Sequence, residues 1–254
     1  MKNSWNAGSE MFDPIRKYLE LLPEEDWPGL EMLTHLASSC RNEQGNSISF
    51  VEHDGEAYEQ RIHQSGEVQT RQQCWHDLFN DLVWMTYPGA KSRLNAAHVK
   101  AMSRENNGRG SLRDIATLVD ESGILVASCS DTLSGMLKGF EWKSLFVENR
   151  QRVAEEMRFY IFGHGLYEKA LSPFVGLTGH ALIFPVEKSF FGLPLDEQLQ
   201  RLDAAFDSVF SGISSTRDLC PLPVLGVPGW SPDNEDPAYY DNERYFRRGR
   251  IRDA

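Results

Sequence analysis

Helical periodicity, cut at short intervals by proline and glycine, most restricts what this chain can fold into. Between Leu195 and Phe210, Leu199, Leu202, Phe206, Val209 and Phe210 recur three or four residues apart, laying an apolar stripe along one long helix. Asp13-Pro14 starts another, in which Ile15, Tyr18, Leu19 and Leu22 keep helical spacing until Pro23. A short helix opens near Pro28 with Leu30, Leu33, Leu36 and Ala37. From Gln72 to Thr86, Trp75, Leu78, Phe79, Leu82 and Val83 share a face; Pro88-Gly89 breaks that helix, and the next runs from Ala90 to about Arg104. Further helices are expected after Asp131 and from His164 to Leu171, ahead of Pro173. The strand signals are short and local. Ser47–Glu52 and Ala57–Ile62, split by Asp54-Gly55, read as a β-hairpin, and Ile115–Ser128 reads as a second, turning at Asp120-Glu121-Ser122-Gly123. Ala181–Val186 fits a buried strand, and Met157–Phe162 fits strand or helix. The expected fold is α+β: predominantly helical, with two short antiparallel β-hairpins and a proline-rich C-terminal strap over Pro221–Trp230.

A chain of 254 residues with 41% hydrophobic and 25% charged residues can bury one sizeable core. Residues 1–11 read as a flexible N-terminus and 12–254 as a single globular domain. The N-terminal residues carry no apolar run of the secretory kind, and charges interrupt every apolar segment before it reaches membrane-spanning length. The four cysteines form no CxxC pair, so a cytoplasmic setting with reduced thiols is expected. A net charge of −11 opposes general DNA binding. Two segments run against that balance: Lys91, Arg93, Lys100, Arg104, Arg109 and Arg113, and then Arg244, Arg247, Arg248, Arg250 and Arg252. They suit a small anionic ligand or one anionic partner; the plain alternative is solvated helix faces and a loose tail.

Five phrases occur in order along the chain: WHDLFNDLVW, YPGAKSRLNAAH, RGSLRDIATLVDESGILVAS, FGHGLYEKALSPFVGLTGHAL, and PLPVLGVPGW followed by YFRR. Together they resemble the bacterial family catalogued as domain of unknown function 3025 (DUF3025), from roughly Phe12 to the C-terminal arginines. The resemblance implies one continuous domain and carries no activity with it.

Common chemistries lack their signatures here: there is no GxGxxG after a strand, no GxxxxGKS loop, no HExxH and no GxSxG. A dispersed set of imidazoles and acids remains. His164 and Glu168 are four apart, so on a helix they share a face and can reach one ion or substrate. Imidazole with carboxylate suits Zn, Fe or Mn, and His98, His180 or the Asp120-Glu121 pair can complete the set. The expected ligands of a divalent metal ion are thus His164, Glu168, Asp120 and His180. The alternative has His164 packing at a helix start and Glu168 pairing with a surface lysine. After Pro88, Lys91, Asn95 and His98 form one polar stripe with donors for phosphate or carboxylate, and His98 offers an acid or base. Otherwise that stripe lies in water while Leu94, Ala97 and Ala101 face the core. Catalytic roles fall to His98, His164 and Glu168, and substrate binding to Lys91, Asn95 and Arg113. Asn80 and Trp84 share a face of the preceding helix, where a buried amide needs partners. Cys74 beside Trp75 and His76 gives no nucleophile, since adjacent helix residues diverge. The leading expectation is a metal-assisted enzyme acting on a small anionic or phosphoester substrate; the alternative is a non-catalytic adaptor for an acidic partner or RNA. The enzyme requires His98, His164, Glu168 and Asp120 to meet around one cavity.

Overall fold

The computed structural model describes residues 8–103 and 111–249. Helices α1 (Asp13–Leu21) and α2 (Leu30–Leu36) precede a β-α-β unit of β1 (Ser49–Glu52), α3 (Tyr58–Ser65) and β2 (Glu67–Thr70). Three helices follow in succession, α4 (Trp75–Thr86), α5 (Pro88–Ser103) and α6 (Ser111–Ser122). The remainder is β3 (Gly123–Ser128), α7 (Asp131–Lys138), α8 (Arg150–Glu156), β4 (Met157–Ile161), α9 (His164–Ala170), β5 (Thr178–Pro185), α10 (Leu195–Phe210) and β6 (Cys220–Pro223). The architecture is α+β and mainly helical. Among the described residues no helix is long and apolar enough to cross a membrane. Of the expected flexible N-terminus, residues 1–7 lie outside the described residues; Met11 is buried in a 3-10 turn over Glu10–Phe12.

The larger sheet has the order β4-β3-β5-β6. Its β3 is buried along its whole length and pairs with β5 in parallel, while β4 and β6 run antiparallel on the two sides. Pro221 and Pro223 lie in β6, the edge position where a missing N–H is tolerated. The rest of the proline-rich stretch presses Leu222, Val224, Leu225, Val227 and Trp230 into the core. As the apolar stripe requires, α10 buries Leu199, Leu202, Phe206 and Phe210 and packs on β5 and α5.

Neither expected hairpin exists. Ile115, Ala116 and Val119 are buried while Arg113, Asp114 and Thr117 are exposed, so the period is that of a helix, and α6 runs to Ser122 before β3 begins. In the first region Gly55 does turn the chain, with φ at +79°, but the apolar residues Tyr58 and Ile62 are four apart and the segment coils into α3. Gly66, also at φ +79°, ends α3, and the chain returns as β2, parallel to β1.

Candidate metal centre

The last turn of α6 carries Asp120 and Glu121 directly into β3. Beside that junction β4 leaves the sheet, because Ile161 is the register partner of Ile124. The amides of Phe162 and Gly163 both donate to the Gly123 carbonyl, at 3.0 and 2.9 Å, and pin the start of α9 against the end of α6. A side chain on Gly163 would run into the Ser122 backbone, and one on Gly165 into Glu121 Oε2. Between these glycines stands His164, the first residue of α9. Helix α4 packs on α9 and brings His76, in its own first turn, to the same place.

Three donor atoms converge there. His76 Nε2 and His164 Nε2 are 3.0 Å apart, and Glu121 Oε1 lies 3.8 and 3.6 Å from them respectively. The point equidistant from the three is about 2 Å from each, the length of a Zn–N or Zn–O bond. Proton placement agrees with a cation at that point. His76 Nδ1 is 3.0 Å from Glu168 Oε2; a carboxylate only accepts, so Nδ1 carries a proton, and in the neutral ring Nε2 is then the nitrogen with the lone pair. His164 is buried, and its Nδ1 makes no well-formed hydrogen bond, with Asp120 Oδ2 3.8 Å away. Without a cation, His164 must place its proton between the two Nε2 atoms and leave Nδ1 a bare acceptor beside a carboxylate. With one, both Nε2 lone pairs are ligands, and His164 Nδ1–H faces Asp120 in a carboxylate–histidine–metal arrangement.

The electrostatics suit ligation. Burial pushes the His164 imidazole down to about 3 against the pull of Asp120, with Lys91 and His76 adding to the push, so the ring is neutral at physiological pH. Burial also pushes the Glu121 carboxyl up, opposed by His76 and reinforced by Asp120. At Asp120 burial works against ionisation, but the Lys91 ammonium, aided by His164, holds the carboxyl below the usual range. Lys91 is itself buried: it pairs with Asp120, donates to Asn80 Oδ1 at 2.8 Å and lies 5.7 Å over the Trp84 ring. Asn80 passes the chain on by donating to Tyr58 OH at 3.0 Å. One polar network therefore ties α3, α4, α5, α6 and α9 to the centre.

A family model described as "Protein of unknown function (DUF3025)" matches residues 48–250. The chain belongs to the DUF3025 family. No curated protein and no solved structure matches it. All of the residues converging in this DUF3025 chain, from His76 to Glu168, fall inside the matched span.

Of the site residues expected from sequence, His164, Glu168 and Asp120 come together, the last two facing the outer ring nitrogens. His180 stands apart on β5, its Nδ1 2.9 Å from Ser122 Oγ. Lys91 and Asn95 are engaged within the protein, Asn95 donating to the Glu59 carbonyl and carboxylate at 2.9 and 2.7 Å. His98 is buried, takes no part in the three-atom centre, and acts electrostatically on Glu59 and Asp120. Arg113 is exposed on α6, about 12 Å along the helix from Glu121. Arg104 and Arg109 lie outside the described residues. The residue that sequence reasoning missed is His76. Its signal was the stripe His76-Asn80-Trp84, four residues apart on α4, and the two glycines flanking His164 were a further sign of close approach. The centre is partly open, with the side chains of His76, Glu121 and Glu168 29%, 45% and 46% exposed.

Proposed function

We propose that this DUF3025 protein is a metal-dependent enzyme, with His76, His164 and Glu121 as ligands of one divalent cation. The observation that carries the reading is the approach of their three donor atoms to within 3.0–3.8 Å of one another. Two imidazoles and one carboxylate leave coordination positions open, the pattern of catalytic rather than structural sites. A divalent cation there supplies a Lewis acid and acidifies a coordinated water, chemistry that suits hydrolysis of an ester or phosphoester in a small molecule. Glu168 holds His76 in the ligating tautomer by a hydrogen bond, while Asp120, paired with Lys91 and 3.8 Å from His164 Nδ1, favours a proton on that nitrogen through its charge. The same reading sets the protein in the cytoplasm, in keeping with four cysteines that are all free thiols.

The test is metal analysis after loading with Zn, Mn or Fe(II) and desalting, for the wild type, His76→Ala, His164→Ala and a His180→Ala control. One equivalent in the wild type and the control, lost in the other two, is expected. Absence of a stoichiometric metal, or undiminished affinity in both ligand variants, would remove the proposal. Turnover of p-nitrophenyl esters and phosphoesters should then follow metal content.

A further inference from the structure

A cavity of about 1510 Å³ opens among α7, β6 and residues 244–249, and it shares no lining residue with the metal centre. Its charge sets it apart. On a chain of net charge −11, many cations elsewhere are matched, such as Arg61 with Asp54 and Glu67, Arg71 with Asp77, Arg93 with Asp207, Arg150 with Glu235 and Arg201 with Glu197. Those without an ion pair among the described residues, such as Arg41, Arg113, Arg158, Lys169 and Lys188, stand singly on different parts of the chain. Lys138, Arg217, Arg244 and Arg247 have no carboxylate partner among the described residues, and all four line this one cleft. Arg248 joins them, 3.6 Å from Glu243. Among the described residues the lining holds one carboxylate, Asp218, whose Oδ2 is engaged by the Ser214 amide and hydroxyl and the Ser215 amide, at 3.0, 2.9 and 2.9 Å.

The cations are exposed, whereas Trp142, Leu219 and Tyr245 in the same lining are buried. The polar atoms of both rings are already engaged: Trp142 Nε1 donates to the Arg247 carbonyl at 2.8 Å, and Tyr245 OH donates to the Leu177 carbonyl at 2.7 Å. The cleft thus offers cationic walls over an apolar base.

We propose that this cleft binds a small, multiply charged organic phosphate. Three arginines without counter-charges supply planar forks that pair with phosphate oxygens two at a time, and Lys138 adds a point charge. A concave wall of one sign focuses the field on such an anion. The apolar base accommodates the organic part, and the volume exceeds the roughly 300–1,000 Å³ of most small-molecule sites. A long polyanion fits less well, because it would extend beyond the cleft along a protein whose net charge of −11 repels it.

The probe is ADP, titrated calorimetrically into the full-length protein at low salt, with pyrophosphate and inorganic phosphate alongside and Trp142 fluorescence as a second readout. Saturable 1:1 binding is expected, weakened about tenfold or more in Arg217→Glu/Arg244→Glu and, separately, in Lys138→Glu, and unchanged in Lys188→Glu. All of these side chains are exposed, so melting temperatures should stay near that of the wild type. Chelator-treated protein should bind equally well, which separates this site from the metal proposal. No saturable binding of ADP or pyrophosphate at millimolar concentration, equal affinity in the charge-reversed variants, or capture of long RNA alone would overturn it.

Discussion

With 3% of its surface exposed, Lys91 carries an ammonium into a place where an unpaired charge costs several kcal/mol, and Asp120 is its counter-charge. Removing one member therefore harms more than removing both. Lys91→Met leaves the Asp120 carboxylate alone beside neutral His164 and should destabilise the protein by about 3–5 kcal/mol in urea unfolding. Lys91→Met with Asp120→Asn should recover most of that loss. The double variant should still bind the cation about 10–100-fold more weakly, because His164 Nδ1 has lost its acidic neighbour. Full recovery of both stability and metal affinity would mean that the pair does not position His164. A single variant as stable as the wild type would mean that the buried charges are not coupled at all.

The proposed metal centre depends on two elements meeting at one end of the sheet: α6 runs into β3 where β4 runs out into α9. Gly165 marks how closely they meet. Its added Cβ would chiefly displace the end of the flexible Glu121 side chain, with the Glu121 carbonyl oxygen close at 3.1 Å and needing to give by only a few tenths of an ångström. Gly165→Ala should therefore stay folded, with a melting point within a few degrees of wild type, while metal affinity falls about tenfold or more. Gly163→Ala strikes the Ser122 backbone instead and should lose stability first. An alanine at 165 that leaves metal affinity intact would show that Glu121 is not a ligand. How far such a junction is legible in sequence depends on whether its cause is local. The stripe of α10 and the start of α9 are local patterns, and both elements lie where periodicity puts them. The segment 111–122 carries alternation and helical spacing together, and only packing of Ile115, Ala116 and Val119 on the core decides for the helix. His164, Glu168 and Asp120 were legible as polar groups on short elements. His76 was not, because its partner His164 lies 88 residues further on and no local pattern announces that α4 will lie against α9.

Across the whole molecule, buried carboxyls bend the stability–pH curve in opposite directions. At Asp77, Arg71 overcomes burial, and at Asp120 Lys91 does, so both groups stabilise the fold above their unfolded values and cease to as pH falls. Asp81 works the other way. It is fully buried in α4, and burial pushes its carboxyl well above the ordinary range, with Thr70 opposing, Asp77 reinforcing and Lys91 opposing. Thr70 Oγ lies 3.0 and 3.1 Å from the two Asp81 oxygens, and its hydroxyl, with one proton to give, is the one side-chain donor among the described residues that meets this buried carboxyl. The native state thus keeps a proton that the unfolded chain releases above about pH 3.9, and stability from this group, complete below that value, is lost as pH rises toward the folded one. Asp81→Asn preserves both contacts with Thr70 and has no proton to lose. Its melting temperature should match wild type near pH 4 and exceed it by roughly 2–4 °C at pH 7.5. The difference between the two curves is the informative quantity, because Asp120, which does not act on Asp81, titrates alike in both proteins and cancels. A gap that stays flat from pH 4 to 7.5, or widens toward acid, would mean that Asp81 is ionised in the native core.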